Sequence, residues 1–161
     1  MSAMVPVELS RIIISEEQES QVIVLKEKGG RRILPIWIGL FEAVAINRRV
    51  SGEPVSRPMT HDLLAEMLSK LSGTLEQVAI DKYIPGKQGG VFHAKLRVRQ
   101  GEAVHEIDCR PSDAIALSVR SDAPLFVAER ILAEEGQVIE EPAAGGAGPA
   151  ADGLGPKPRS S

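Results

Sequence analysis

Ile107-Asp108-Cys109-Arg110-Pro111-Ser112-Asp113-Ala114-Ile115-Ala116-Leu117 enters Pro111 as an extended apolar/polar alternation and leaves it within three residues as an apolar helix. A two-residue period is that of a strand, and the early acid followed by Ala-Ile-Ala-Leu suits a helix start. Proline at the first helical position gives up an amide that has no partner there, so Arg110 is expected at the cap and Asp113 in the first turn. The plan has an echo 71 residues upstream, where Glu42-Ala43-Val44-Ala45-Ile46 matches Asp113-Ala114-Ile115-Ala116-Leu117. Internal self-similarity of this kind implies a domain built from two related units.

Working outward, residues 5–14 read as a strand, and 21–28 with 31–38 as a hairpin around Gly29-Gly30. Leu40 to Arg49 reads as a short helix, apolar on nearly every side and therefore expected to be buried. A turn-rich linker follows, then a helix over 61–71 capped by Thr60, with Leu63, Leu64, Met67, Leu68 and Leu71 as its apolar face. Residues 75–84 read as a strand, and 91–99 with 103–109 as a second hairpin about Gln100-Gly101. That turn puts Phe92, Ala94, Leu96 and Val98 on the core side with Ala103, Ile107 and Cys109, and sets Lys95 opposite Glu106 and His93 opposite Asp108. The helix at Pro111, a short strand at 124–127 and a helix at 128–135 complete the domain. Hairpins dominate, so the fold class is α+β, with internally duplicated β-β-β-α units forming mixed or antiparallel sheets packed with helices. Residues 1–140 make the domain. Residues 141–161 are rich in Pro, Gly and Ala, and are expected to form a disordered tail.

Composition narrows the function classes. The net charge of −3 argues against a protein that coats nucleic acid through a basic excess, while leaving room for an enzyme that grips a few phosphates locally. Aromatics are limited to Trp37, Phe41, Tyr83, Phe92 and Phe126, too few for a multi-base stacking platform. Cys109 is the single cysteine, so neither an intramolecular disulfide nor a cysteine zinc site is available and a reducing cytoplasm is expected. No basic-then-apolar leader and no run of membrane-spanning length is seen, so no membrane partner is expected. Walker, dinucleotide-glycine, His-Glu-x-x-His and nucleophile-elbow patterns are lacking.

The candidate chemistry gathers at the opening junction. Free amides at a helix start favour a phosphate, which Arg110 would clamp and Ser112 would help to bind. Asp108 and Asp113, with Glu42 from the first unit, are the acids expected to hold Mg²⁺ or Mn²⁺. His61, beside Asp62 at the start of the linker helix, is the expected proton carrier. Lys95 and Arg97 on one strand face form a basic stripe suited to a phosphate backbone. The plain alternative is that first-turn acids serve the helix dipole, and that the stripe is the wet side of a hairpin.

The chain resembles the bifunctional nuclease domain family. The resemblance rests on Leu34-Pro35-Ile36-Trp37-Ile38-Gly39 with Glu42-Ala43, on Arg57-Pro58-Met59-Thr60-His61-Asp62-Leu63, and on the segment from Ile107 to Leu117. It implies a self-associating α+β domain, a homodimer or higher homo-oligomer, that cuts RNA and DNA. Joined to the residues, it gives a reading in which Asp108, Arg110, Asp113 and His61 are catalytic and a divalent metal assists. The competing reading is a non-enzymatic, self-associating ligand-binding or regulatory domain.

Overall fold

The computed structural model describes residues 3–140, and the expected tail at 141–161 lies outside them. Eight strands form one mixed sheet, in the order β6-β5-β4-β7-β1-β2-β3-β8. β1 (Met4–Ile13), β2 (Gln21–Glu27) and β3 (Arg32–Ile38) make one antiparallel meander and lead into α1 (Leu40–Val50). After α2 (Thr60–Lys70), β4 (Gly73–Ile84), β5 (Val91–Gln100) and β6 (Ala103–Cys109) make the second meander and lead into α3 (Pro111–Ser121). β7 (Leu125–Ala128) lies between the meanders, parallel to β4 and antiparallel to β1, and α4 (Glu129–Glu135) leads to β8 (Gln137–Val138) at the edge of β3.

The duplication is visible in the element bounds: β3 and α1 recur as β6 and α3 at the same 71-residue spacing. α1 packs on α3, and α3 on β4 and β5. The core they close is aliphatic, with Ile23, Leu25, Leu34, Ile46, Ile80, Ile115 and Leu132 fully buried. Each such side chain contributes about 1.5–3 kcal/mol on removal from water, which fixes the helix starts firmly over the sheet.

Four local expectations change. Lys26 pairs with Ile33, so the first hairpin turns at Gly29-Gly30 as read; the second turns at Gly101-Glu102 instead, since Gln100 pairs with Ala103. A two-residue turn with a single positive φ wants glycine first, and Gly101 at φ +59° takes that place. The pairs therefore become Lys95 with Asp108 and Arg97 with Glu106. β6 is an edge strand, and Ala103 and Ile107 are exposed there instead of joining the core. Met59, not Thr60, is the α2 cap residue, and the Asp62 carboxylate accepts from its amide at 2.9 Å, the back-reaching half of a capping box. Finally, α1 buries Ala43 and Ile46 but leaves Leu40 and Phe41 exposed. Along α2, Leu63, Leu64, Met67 and Leu71 face outward while His61 points inward.

Candidate functional site

The helix starts converge. α3 presents Arg110 at its cap and Asp113 in its first turn, α1 presents Glu42 in its first turn, and α2 presents His61 and Asp62. Arg110 donates through Nε to Asp113 Oδ2 at 2.8 Å and through a terminal nitrogen to Oδ1 at 3.2 Å, a two-point grip. Its other terminal nitrogen reaches Glu42 Oε1 at 3.2 Å. His61 Nε2 lies 2.9 Å from Asp113 Oδ1, on the carboxylate that Arg110 holds.

Asp113 is thus the hub. Burial pushes its pKa up, but hydrogen bonds from Arg110 and His61 and their charges outweigh that, holding it below the usual carboxylate range. An ionised carboxylate only accepts, so Nε2 is the donor in this contact and Nδ1 is the ring nitrogen left for another partner. Asp62 is depressed as well: burial acts against it, and the Met59 amide and the Arg120 guanidinium overcome burial.

A cleft of about 800 Å³ opens over this group, lined by Glu42, His61, Asp62, Arg110, Asp113 and Arg120 together with an apolar wall from α1 and the linker. Its size falls within the range of ligand pockets, roughly 300–1,000 Å³. Arg120 ties the cleft together: it donates to Asp62 Oδ1 at 2.6 Å, to the Ala116 carbonyl at 2.8 Å and to the Ala45 carbonyl at 3.0 Å. One buried guanidinium therefore links α1, α2 and α3. Sequence reading does not single it out, although a cue exists in its place 71 residues after Arg49. Arg49 in turn reaches back to the Val119 carbonyl at 3.4 Å.

Other expected site residues stand elsewhere. Asp108 is 73% exposed on β6, opposite Lys95 and 3.9 Å from His93 Nδ1, and it does not line the cleft. Lys95 is paired with Asp81 at 3.4 Å, and Arg97 with Glu76 at 3.2 Å, which also binds Arg99. Ser112 is buried beneath the α3 start. Cys109, next to the site in sequence, has its thiol pushed up to about 12, first by burial and then by the charges of Asp113, Asp108 and Asp81, so it is not a nucleophile at neutral pH.

The expected metal set was Asp108, Asp113 and Glu42. Asp108 is turned away, the other two acids share Arg110, and among the described residues no three His, Cys, Asp or Glu side chains gather to hold a metal ion. As arranged, Asp108 does not join Glu42 and Asp113 in one set of ligands.

The model of the bifunctional nuclease domain matches residues 23–140, a span that holds β2 from Ile23 onward, β3, the whole second meander, all four helices and every residue of the cleft. The chain belongs to the bifunctional nuclease domain family. It is 35% identical over 130 residues to an uncharacterized protein of Mycobacterium tuberculosis, covering 81% of this chain and 75% of that one. It is 29% identical over 133 residues to Bifunctional nuclease 2 of Oryza sativa subsp. japonica, covering 81% of this chain and 40% of the rice protein. Bifunctional nuclease 1 of Arabidopsis thaliana is 29% identical over 137 residues, covering 82% and 41%. The chain thus spans about two fifths of the plant proteins. Among the described residues no helix is long and apolar enough to cross a membrane.

Proposed function

We propose that this family member hydrolyses phosphodiester bonds in RNA and DNA, with His61 as proton acceptor, Asp113 as its orienting partner and Arg110 as the phosphate clamp. The observation that carries the reading is a single carboxylate, Asp113, shared by a buried histidine and a bidentate arginine on the wall of a cleft. Asp113 fixes the ring and stabilises its charge when it takes a proton. Water held at Nδ1 gives up its proton as its oxygen bonds to phosphorus; the bond to the leaving alcohol breaks, and solvent protonates that alcohol. Arg110 is largely exposed and swings from Glu42 to the phosphate, whose negative charge its planar fork matches. No step passes through a metal; Mg²⁺ or Mn²⁺ assistance is an arm of the test, and Glu42 and Asp113 are the cleft acids that such an ion would take from Arg110.

The test is incubation of the purified chain with labelled single-stranded RNA and DNA, with and without EDTA. Cleavage lost in His61→Ala and Asp113→Asn supports the reading; cleavage equal to wild type in both overturns it. EDTA-resistant cleavage supports the metal-free route, and abolition by EDTA restores the metal.

A second reading, a self-associating ligand-binding or regulatory domain, draws on the outward stripe of Leu63, Leu64, Met67 and Leu71. Monomeric proteins rarely leave large contiguous apolar patches in water. The stripe supports a homodimer or higher homo-oligomer in either case. Light-scattering mass measured on the wild type and on Leu63→Ser/Met67→Ser tests this, with a monomeric wild type as the contrary result. A cytoplasmic location goes with both readings.

A further inference from the structure

Beside the acid and base, the cleft has an apolar wall that proton transfer does not use. Phe41, Val44, Val55, Met59 and Leu64 line it, and the Phe41 ring is 86% exposed. Its charges are layered in depth: the Arg110 side chain is 65% exposed, whereas Asp113 and Glu42 behind it are 27% and 22% exposed. An incoming ligand therefore meets a guanidinium and an apolar face before it meets a carboxylate. A duplex turns its phosphates outward and hides the faces of its bases in the stack, so it leaves this wall uncovered. An unpaired nucleotide offers an anionic phosphate and a flat apolar base together. The roughly 800 Å³ of the cleft suits a molecule of drug size, whereas a duplex is broader than its major groove, itself about 12 Å wide.

We propose that the cleft selects single-stranded nucleic acid, with an unpaired base stacked on Phe41 and the adjoining phosphate on Arg110. The inference rests on the hydrolase reading for the phosphate and on the apolar wall for the base. Phe41 belongs to no ring pair among the described residues, where Tyr83 and Phe92 form the close pair at 4.7 Å. It is free for an incoming base.

The experiment measures fluorescence anisotropy and cleavage of one labelled oligonucleotide, first alone and then annealed to its complement, with the full chain as wild type, Phe41→Ala and Phe41→Trp. Because Phe41 is almost fully exposed, its removal leaves the core intact, and circular dichroism checks that. The single strand is expected to bind at least tenfold more tightly than the duplex. Phe41→Ala should lose about tenfold of that binding, a change within the range of one base stacked on one ring, and Phe41→Trp should restore it. Equal binding of strand and duplex, or single-strand binding unchanged in Phe41→Ala while wild type still cleaves, overturns the inference and spares the hydrolase reading. Phe41-dependent binding of single strands without cleavage supports the inference and overturns hydrolysis. A light-scattering mass that falls in Phe41→Ala with unchanged oligonucleotide binding gives the ring to a second copy of the chain, and also overturns it.

Discussion

Two arginines in this domain each hold a pair of carboxylates, and the contrast between them separates a structural pin from a candidate site. Arg32, on β3, makes four bonds of 2.7–2.9 Å, two to Glu27 across the hairpin and two to Glu129 at the start of α4. Its side chain is 25% exposed and its charge is fully used. Both acids are held below their ordinary range, foremost by hydrogen bonds from Arg32. Arg110 grips Asp113 at two points but touches Glu42 only once, at 3.2 Å, and most of its side chain faces water. It also shares Asp113 with a histidine over an open cleft. An arginine with two acids is therefore no mark of function by itself. What distinguishes the second cluster is spare bonding capacity, a titratable partner and room for a ligand.

The predictions sharpen or break that contrast. His61→Ala and Asp113→Asn should each lower phosphodiester hydrolysis by about 10²–10⁴-fold, the usual contribution of positioned proton transfer, read as initial rates on a labelled oligonucleotide. Arg32→Met should leave those rates unchanged while lowering the urea midpoint, since it removes a pin linking β3, β2 and α4. Equal rate losses at both arginines would erase the distinction. Arg110→Lys should cost about tenfold in kcat/KM, because an ammonium keeps the charge but loses the planar two-point grip.

A smaller effect concerns acid. Asp62 and Asp113 have folded-state pKa values below their ordinary ones, so their stabilisation is present above the unfolded value, about 3.9, and is lost as pH falls through the depressed folded values. Urea midpoints should drop as pH is lowered from 5 toward about 2, and Asp62→Asn should flatten that slope. A slope unchanged in Asp62→Asn would deny its bonds to Arg120 and Met59 any energetic weight. The smallest effect is expected at Asp108, exposed on β6: Asp108→Asn should keep hydrolysis within about twofold of wild type, as surface changes away from a site generally do.

Much of this architecture can be read from the residues. The strand-to-helix junction at Pro111 and its 71-residue echo specify both β-β-β-α units, because period and proline position are local properties of the chain. The register of β5 on β6 was less legible, since it depended on which residue of Gln100-Gly101-Glu102 carries a positive φ. The exposure of α2 could not be read from its own pattern. Leu63, Leu64, Met67 and Leu71 make an apolar stripe at helical spacing, but which face meets the sheet is decided by the tertiary packing of Ala65 and Leu68. In the site, Glu42, His61, Arg110 and Asp113 stand inside recognisable motifs. Their convergence depends on α1 packing against α3, a long-range fact. Asp108 stands in the same motif as Arg110 and Asp113, but the pairing of β6 with β5 directs it toward Lys95 and His93. Arg120 works through backbone carbonyls on two helices, and no short motif announces that.

The most direct measurement is the rate at which the purified chain cleaves a labelled single-stranded oligonucleotide, compared among wild type, His61→Ala and Arg32→Met in the presence of EDTA. Cleavage by wild type and Arg32→Met, with a loss of at least a hundredfold in His61→Ala, is the outcome expected if the shared Asp113 carboxylate forms a working site. Cleavage that persists undiminished in His61→Ala would contradict it.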